Sequence, residues 1–258
     1  MKRRFLALTT AVEIAVDDEL GIAELAQFLI DAYPDTDAEP EIAYHLRAGV
    51  MEAVERYEDP VAYTSDLVPL FELDLYQQVG ERAAPGWLLH AAALERDGRA
   101  FVFAGPSGAG KTSLTLALLA RGWRLLTEEI ALVDRALRVR GLARPMHLSP
   151  GSEVPASWRQ HPYPIRGGAS TVVAHPPAAS RVMGPLPLAA IVRIRHAADV
   201  APALDRLPPQ HVITRLWDAT LRTNDDGLAA AVEIAARAPL FELCTSSVAA
   251  SVGLVEHI

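Results

Sequence analysis

The stretch FVFAGPSGAGKTSLTLALLARGW, residues 101–123, limits the fold more than any other part of the chain. A hydrophobic run stops at Gly105. Gly105-Pro106-Ser107-Gly108-Ala109-Gly110-Lys111-Thr112 then satisfies G-x-x-x-x-G-K-[ST] at every fixed position, and a helical pattern starts at Lys111. Glycines let a backbone curl so that successive N–H groups point inward. A helix starting there adds its unpaired amides and the positive end of its dipole. A strand–loop–helix of this kind is suited to a chain of phosphates. The contact set expected is the whole run from Gly105 to Thr112 with Ser113. Lys111 would reach the β- and γ-phosphates, the Thr112 hydroxyl would join a Mg2+ shell, and Ser113 would lie near the α-phosphate.

Composition supports a special place for Lys111. Of the chain's 24 basic residues only Lys2 and Lys111 are lysine, so composition alone would have put arginine in the loop. The chain has 258 residues, half of them hydrophobic, enough to bury one large core or two small ones. Its formal charge of −8 disfavours nucleic acid and anionic membrane as partners, because both need many cationic contacts. No apolar run approaches the roughly 18 residues of a membrane-crossing helix. The start, MKRRFLALTTAVEIAV, mimics a signal peptide, but Glu13 interrupts it and no clean cleavage site follows, so a first strand is expected. Cys244 is the one cysteine, which excludes an internal disulfide and a cysteine-based zinc site. A cytoplasmic enzyme is the class these observations favour.

Residues 1–85 read as a mixed α+β segment. GIAELAQFLIDAY places Ile22, Leu25, Leu29 and Ala32 on one helical face, with Asp17 and Asp18 as candidate caps. YPDTDAEPE is a loop, and VAYTSDLVPLFELDLYQQVGERA is open between strand and helix. Residues 86–258 form the second expected domain. In WLLHAAALERDGRAFVFAG, Asp97-Gly98 between two apolar runs predicts a hairpin. With a two-residue turn the numbers of opposed residues sum to 195, which brings His90 level with Gly105. Arg121-Gly122 ends the helix after the loop, WRLLT is a strand running into Glu128-Glu129, and IALVDRALRVRGL is another hairpin, with Asp134 at its turn. SPGSEVPASWRQHPYPIRGGAS is expected to be loop, PLAAIVRIR a strand, LWDATLRTN and DGLAAAVEIAARA helices, PLFELCT a strand and SVAASVGLVEHI a last helix. No internal repeat is present.

The motif specifies nucleotide, not reaction. A guanine-binding NKxD-like signature is missing, which favours ATP over GTP. LLHAAALERDGRAFVFAGPSGAGKTSLTLALLARGWRLLTEEIALV resembles the catalytic domain of HPr kinase/phosphorylase and its smaller relatives. The shared features are a histidine strand before the loop (His90), a basic residue plus glycine closing the helix (Arg121-Gly122), and paired carboxylates after the next strand (Glu128-Glu129). PIRGGASTVVA is similar to an Arg-Gly loop of that family. Residues 1–80 show no such likeness.

The resemblance implies an α/β fold with a P-loop kinase core of the HPr kinase/phosphoenolpyruvate carboxykinase-like type. It also implies ATP and Mg2+, a serine or other hydroxyl of a peptide or protein as acceptor, and homo-oligomeric assembly. The smaller relatives include kinases of lasso-peptide precursors. A small-molecule acceptor stays open. Within that template Lys111 and Mg2+ take the developing charge. Glu128 receives or orients the acceptor proton, Glu129 and Thr112 hold the metal, His90 orients Glu128 or touches the transferred phosphate, and Arg166 clamps phosphate. The pair here is Glu-Glu where the family usually has Asp-Asp, or Asp-Glu in some relatives. His161, His175, Trp123 and Trp217 are expected to serve packing. Arg135, Arg138, Arg140 and Arg144 form a basic stretch, read as a solvated hairpin face or as a surface for an acidic peptide. A nucleotide-binding module that gates a partner without passing on phosphate remains the other hypothesis.

Overall fold

The computed structural model describes residues 1–17, 22–47, 50–53, 67–164, 170–197, 200–222 and 224–258. The chain divides into two compact units, 1–83 with 143–177 and 84–142 with 178–258. One boundary, 83/84, falls within two residues of the expected 85/86, but the second unit is not the continuous 86–258. Residues 143–177 leave the second half of the chain and cluster with the N-terminal residues.

The first unit opens with a hairpin, β1 (Lys2–Ala7) and β2 (Thr10–Val16), as its alternating apolar residues predict. Helix α1 (Ala23–Ile30) follows. Asp17 does not cap it. Ile22 is the N-cap residue without a side-chain bond, and Asp17 lies 2.9 Å from His45 Nε2; Asp18 is outside the described residues. Strand β3 (Ile42–Arg47) pairs in parallel with β2 and antiparallel with β4 (Val50–Ala53). The ambiguous stretch is helix α2 (Leu67–Arg82) as far as it is described.

The second unit begins with β5 (Trp87–Arg96) and β6 (Arg99–Ala104), joined by Asp97-Gly98. Both turn residues have positive φ, and the register Ala91↔Ala104 to Arg96↔Arg99 is the one a two-residue turn dictates. Helix α3 (Lys111–Leu119) ends before Gly122, whose φ of +85° closes it. Then come β7 (Arg124–Thr127), β8 (Ile130–Val133) and β9 (Arg138–Gly141). Asp134 is a turn residue: its Oδ1 accepts from the N–H groups of Ala136 and Arg138.

The chain returns to the first unit with β10 (Met146–Leu148), β11 (Arg159–Pro164) and β12 (Ser170–His175), in the order β10-β12-β11. The loop expected over residues 149–170 is thus part strand. β11 is an edge strand, where Pro162 and Pro164 remove no ladder bond that a central strand would need. These strands join α1 and α2 through long-range contacts. Arg159 donates to Asp31 at 2.9 Å, and His175 Nε2 lies 2.7 Å from the Phe28 carbonyl oxygen. Buried Glu72 of α2 accepts from the Tyr163 hydroxyl at 2.7 Å, from the Tyr76 hydroxyl and from His147 Nε2 at 3.1 Å, with Arg144 Nε 3.9 Å away. His161, inside the expected loop, is a strand residue, as is His175, and Arg144 is buried.

The second unit closes with β13 (Leu186–His196), β14 (Ala203–Arg206), α4 (Pro209–Leu216), α5 (Asp225–Ala235), β15 (Leu240–Thr245) and α6 (Val248–Val255). The helix expected at LWDATLRTN is displaced upstream. It starts at Pro209, whose fixed φ suits the first turn, and only a 3₁₀ turn at Trp217–Ala219 follows. The sheet runs β14-β15-β13-β6-β5-β8-β9, with β7 also on β5 and β9 meeting the start of β13. It is mixed: β6, β13 and β15 are parallel neighbours, and β5 is antiparallel to β6. Val212, Leu216, Ala231 and Ile234 of α4 and α5 pack with alanines of β5 and β6 in one core cluster. Leu114 and Leu118 of α3 and Val252 and Val255 of α6 pack with Phe103 and Val192 in another. Among the described residues no helix is long and apolar enough to cross a membrane.

Two expected outcomes follow from this packing. Burial alone would raise the Glu72 carboxyl, but the charge of Arg144 and the hydrogen bonds from His147 and Tyr76 outweigh it, holding the group at about 2 against an ordinary 4.5. A carboxyl depressed in the folded state adds stability that is full above its unfolded value of 4.5 and is lost as pH falls toward 2. Glu72→Gln should cost about 3 kcal/mol near neutral pH, by leaving Arg144 buried beside a neutral group. Urea unfolding should show the gap to wild type narrowing at about pH 3; a gap that does not change with pH would contradict this account. Second, a Cβ on Gly105 would lie 2.7 Å from the Ile194 carbonyl oxygen, so the backbone must shift to admit it. Gly105→Ala should lower stability by about 1–3 kcal/mol in thermal unfolding, and an unchanged melting temperature would show that β6 and β13 are not held so closely.

Candidate functional site

The loop lies between two sides of one sheet end. β6 stops at Ala104, and Gly108 and Gly110 take positive φ before α3 starts. Ideal Cβ positions on Gly108 and Gly110 meet nothing within 4 Å, so backbone conformation, not crowding, calls for glycine there. Lys111 bends back over the loop, donating from Nζ to the carbonyls of Gly105 at 2.7 Å and Pro106 at 3.2 Å. Burial lowers its pKa, while Glu129, Glu128 and Asp218 act in the opposite direction.

On one side of the loop β7 delivers the carboxylate pair. The buried Thr127 hydroxyl donates to the Leu142 carbonyl at 2.9 Å and accepts from the N–H groups of Glu129 and Ile130. The Ala91 N–H donates to the Glu129 carbonyl oxygen at 2.9 Å, which ties the turn to β5. Gly141 fits because a Cβ there would lie 2.5 Å from the Leu126 carbonyl oxygen. Held in this way, the two glutamates point to different partners. Glu128 is buried, and its Oε1 accepts from the Thr112 hydroxyl at 2.8 Å. Glu129 is partly exposed, and its Oε1 lies 3.2 Å from His90 Nε2.

The residues named from sequence are thus partly brought together. Thr112 bonds to Glu128 and His90 lies against the adjacent Glu129, while Lys111 bonds to carbonyls of the loop and feels the charge of both glutamates. His90 lies against Glu129; the resemblance implies that it orients Glu128 or touches the transferred phosphate. Arg166 is outside the described residues. Trp123 packs edge-on to Phe101 as expected, but Trp217 is 48% exposed. The basic stretch does not act as one surface: Arg135 pairs with Glu233 at 3.2 Å, Arg138 donates to the Pro185 carbonyl, and Arg144 is buried beside Glu72.

Asp218 was not foreseen. Its 3₁₀ turn is fixed to β5 by the bond from Trp87 Nε1 to the Thr220 hydroxyl and by the Leu221 N–H donating to the Leu88 carbonyl. Nothing in LWDATLRTN marks that placement, because it depends on pairing across more than a hundred residues.

Lys111 offers a cation and the loop offers amides to an anion. Thr112 and Glu128 offer hard oxygen donors 2.8 Å apart. That donor set suits Mg2+, which keeps several waters and takes few protein ligands when a phosphate chain supplies others. Among the described residues no group of three or more His, Cys, Asp or Glu side chains forms a self-sufficient metal cage.

No protein-family model matches the chain, and no curated protein matches it. Among solved structures the chain is similar to the HPr(Ser) kinase/phosphatase from Coxiella burnetii, at 13% identity and a TM-score of 0.35, over 66% of this chain and 94% of that one. The relationship is a distant structural one.

Proposed function

We propose that the protein is an ATP- and Mg2+-dependent phosphotransferase with a P-loop kinase core, passing the γ-phosphate to a hydroxyl of a peptide or protein. The observation that carries this reading is the divided carboxylate pair beside the loop: Glu128 on the Thr112 hydroxyl, Glu129 on His90. A phosphate-binding loop alone needs one acid near its metal. A second, partly exposed acid held by a histidine is what transfer to a hydroxyl requires.

The geometry favours an exchange of the roles that the resemblance implies. Thr112 and Glu128 would hold Mg2+, which supplies neutralisation of the charge on the β- and γ-oxygens. Glu129 takes the acceptor's proton as its oxygen forms the new bond to the γ-phosphorus and the bond to the β–γ bridging oxygen breaks. His90 keeps the Glu129 carboxylate turned toward the acceptor. Lys111 exchanges its bonds to loop carbonyls for phosphate oxygens, a charge-assisted contact worth about 1.5–3 kcal/mol. Burial lowers the Lys111 pKa, and the charges of Glu129, Glu128 and, least, Asp218 oppose that shift.

The expected outcomes are separable. Lys111→Ala should weaken ATP binding about tenfold to a hundredfold in calorimetry. Glu129→Gln should leave binding close to wild type and cut transfer of label from γ-labelled ATP by about a hundredfold or more. Glu128→Gln should instead raise the Mg2+ concentration needed for half-maximal rate. Should Glu129→Gln transfer at the wild-type rate, Glu129 is not the base. Tight ATP binding with no labelled acceptor in wild type would favour the nucleotide-gated module.

A further inference from the structure

On the other side of the loop from the carboxylates the sheet carries a concentration of arginine that the reaction above does not use. Arg193 and Arg195 alternate along β13, so they emerge on one face. That face is the α4 side: Ile191, of the same parity, packs in one cluster with Val212 and Leu216, and Arg193 Nε donates to the Arg215 carbonyl at 2.6 Å. Glu242 of β15 is the acid these arginines share. Arg193 holds it at 2.8 Å, while Arg195 and Arg215 stand 3.7 Å from it, outside hydrogen-bonding distance. Asp205 of β14 lies level with Glu242 and adds a second carboxylate on that face, so three guanidinium groups meet two acids and a local cationic excess remains in a chain whose net charge is −8.

The position is tied to the loop. Arg193 is level with Ala104 on the neighbouring strand, and the Ile194 carbonyl oxygen is the atom against which Gly105 packs. Arg195 is 44% and Arg215 50% exposed, and Trp217, two residues beyond Arg215, is 48% exposed. Two separate planar cations and an indole suit several consecutive side chains better than one small acid. Guanidinium forks recognise carboxylates in pairs of hydrogen bonds.

We infer that Arg195 and Arg215 dock an acidic segment of the acceptor polypeptide, bringing its hydroxyl to the loop. This rests on the phosphotransfer reading above. Arg193 is a positioning residue, since its bonds to Glu242 and to the Arg215 carbonyl fix the other two.

The test uses the full chain and two fluorescent peptides, one with a serine flanked by glutamates and one with glutamines in their place. Peptide anisotropy and calorimetric affinity for ATP are measured in parallel. Wild type should prefer the glutamate peptide at least tenfold, with the preference shrinking in high salt. Arg195→Ala/Arg215→Ala should abolish the preference and leave ATP affinity within about twofold. Arg195→Lys/Arg215→Lys, which keeps charge but not the fork, should retain part of it. Equal binding of the two peptides by wild type, or a preference untouched in the alanine variant, overturns the inference. A large loss of ATP affinity in that variant also overturns it, by assigning the cluster to the nucleotide. Wild type that prefers the acidic peptide but binds no ATP leaves the docking site standing and removes the phosphotransfer reading instead.

Discussion

One hydrogen bond sets the arrangement of the candidate site, from the Thr112 hydroxyl to Glu128 Oε1 at 2.8 Å. It joins the first turn of α3 to the end of β7, two pieces of chain that leave the sheet in different directions. With Glu128 turned inward onto Thr112, the next carboxylate, on a turn pinned by the Thr127 hydroxyl, is directed to His90. That contact and the pinned turn together put two adjacent glutamates in different environments. An acid that is buried and hydrogen-bonded suits holding charge in place, and one that is partly exposed and histidine-bound suits receiving a proton. The extra methylene of glutamate relative to aspartate gives each side chain the reach to turn away from the other.

The loop itself was legible in sequence because its chemistry is local. Gly108 and Gly110 answer to their own backbone angles and Lys111 to carbonyls five and six residues back, and the preceding hairpin was specified by Asp97-Gly98 down to its register. The same holds for Asp134, whose carboxylate closes its own turn, and for Gly122 at the helix end. Where the reading failed, the deciding contact lay far along the chain. Residues 149–170 read as proline-rich loop because the contacts that hold Tyr163 and its neighbours meet at residues such as Glu72, about ninety positions earlier. That His90 lies against Glu129 could not be read, because the order of residues says nothing of which way a carboxylate turns.

Charge shows the same dependence on distant contacts. Of the four arginines within ten residues, 135 to 144, Arg135 and Arg138 are exposed hairpin residues, whereas Arg144 belongs to the buried Glu72 cluster. Arg193, Arg195 and Arg215 looked unremarkable in sequence, two on a strand and one on a helix, and meet around one glutamate. Proximity in sequence is a poor guide to summed charge. Strand parity is a better one, because alternate residues share a face whatever the rest of the fold does. The period-2 spacing in IVRIR was the signal available.

The loop therefore separates unlike charges. Glu128, Glu129 and Asp218 act together on Lys111, whereas β13 ends in an excess of guanidinium. A nucleotide alone needs cations close to its phosphates and gains nothing from a second group of them offset by a strand. A second anionic partner does gain. If the loop amides and Lys111 hold phosphates as proposed, the arginines of β13 and α4, fixed by Glu242 of β15, would hold such a partner without competing for them. The carboxylates opposite would repel that partner's acidic side chains and so favour a register in which only a neutral hydroxyl faces Glu129. Selection of that register would come from repulsion on one side as much as from attraction on the other.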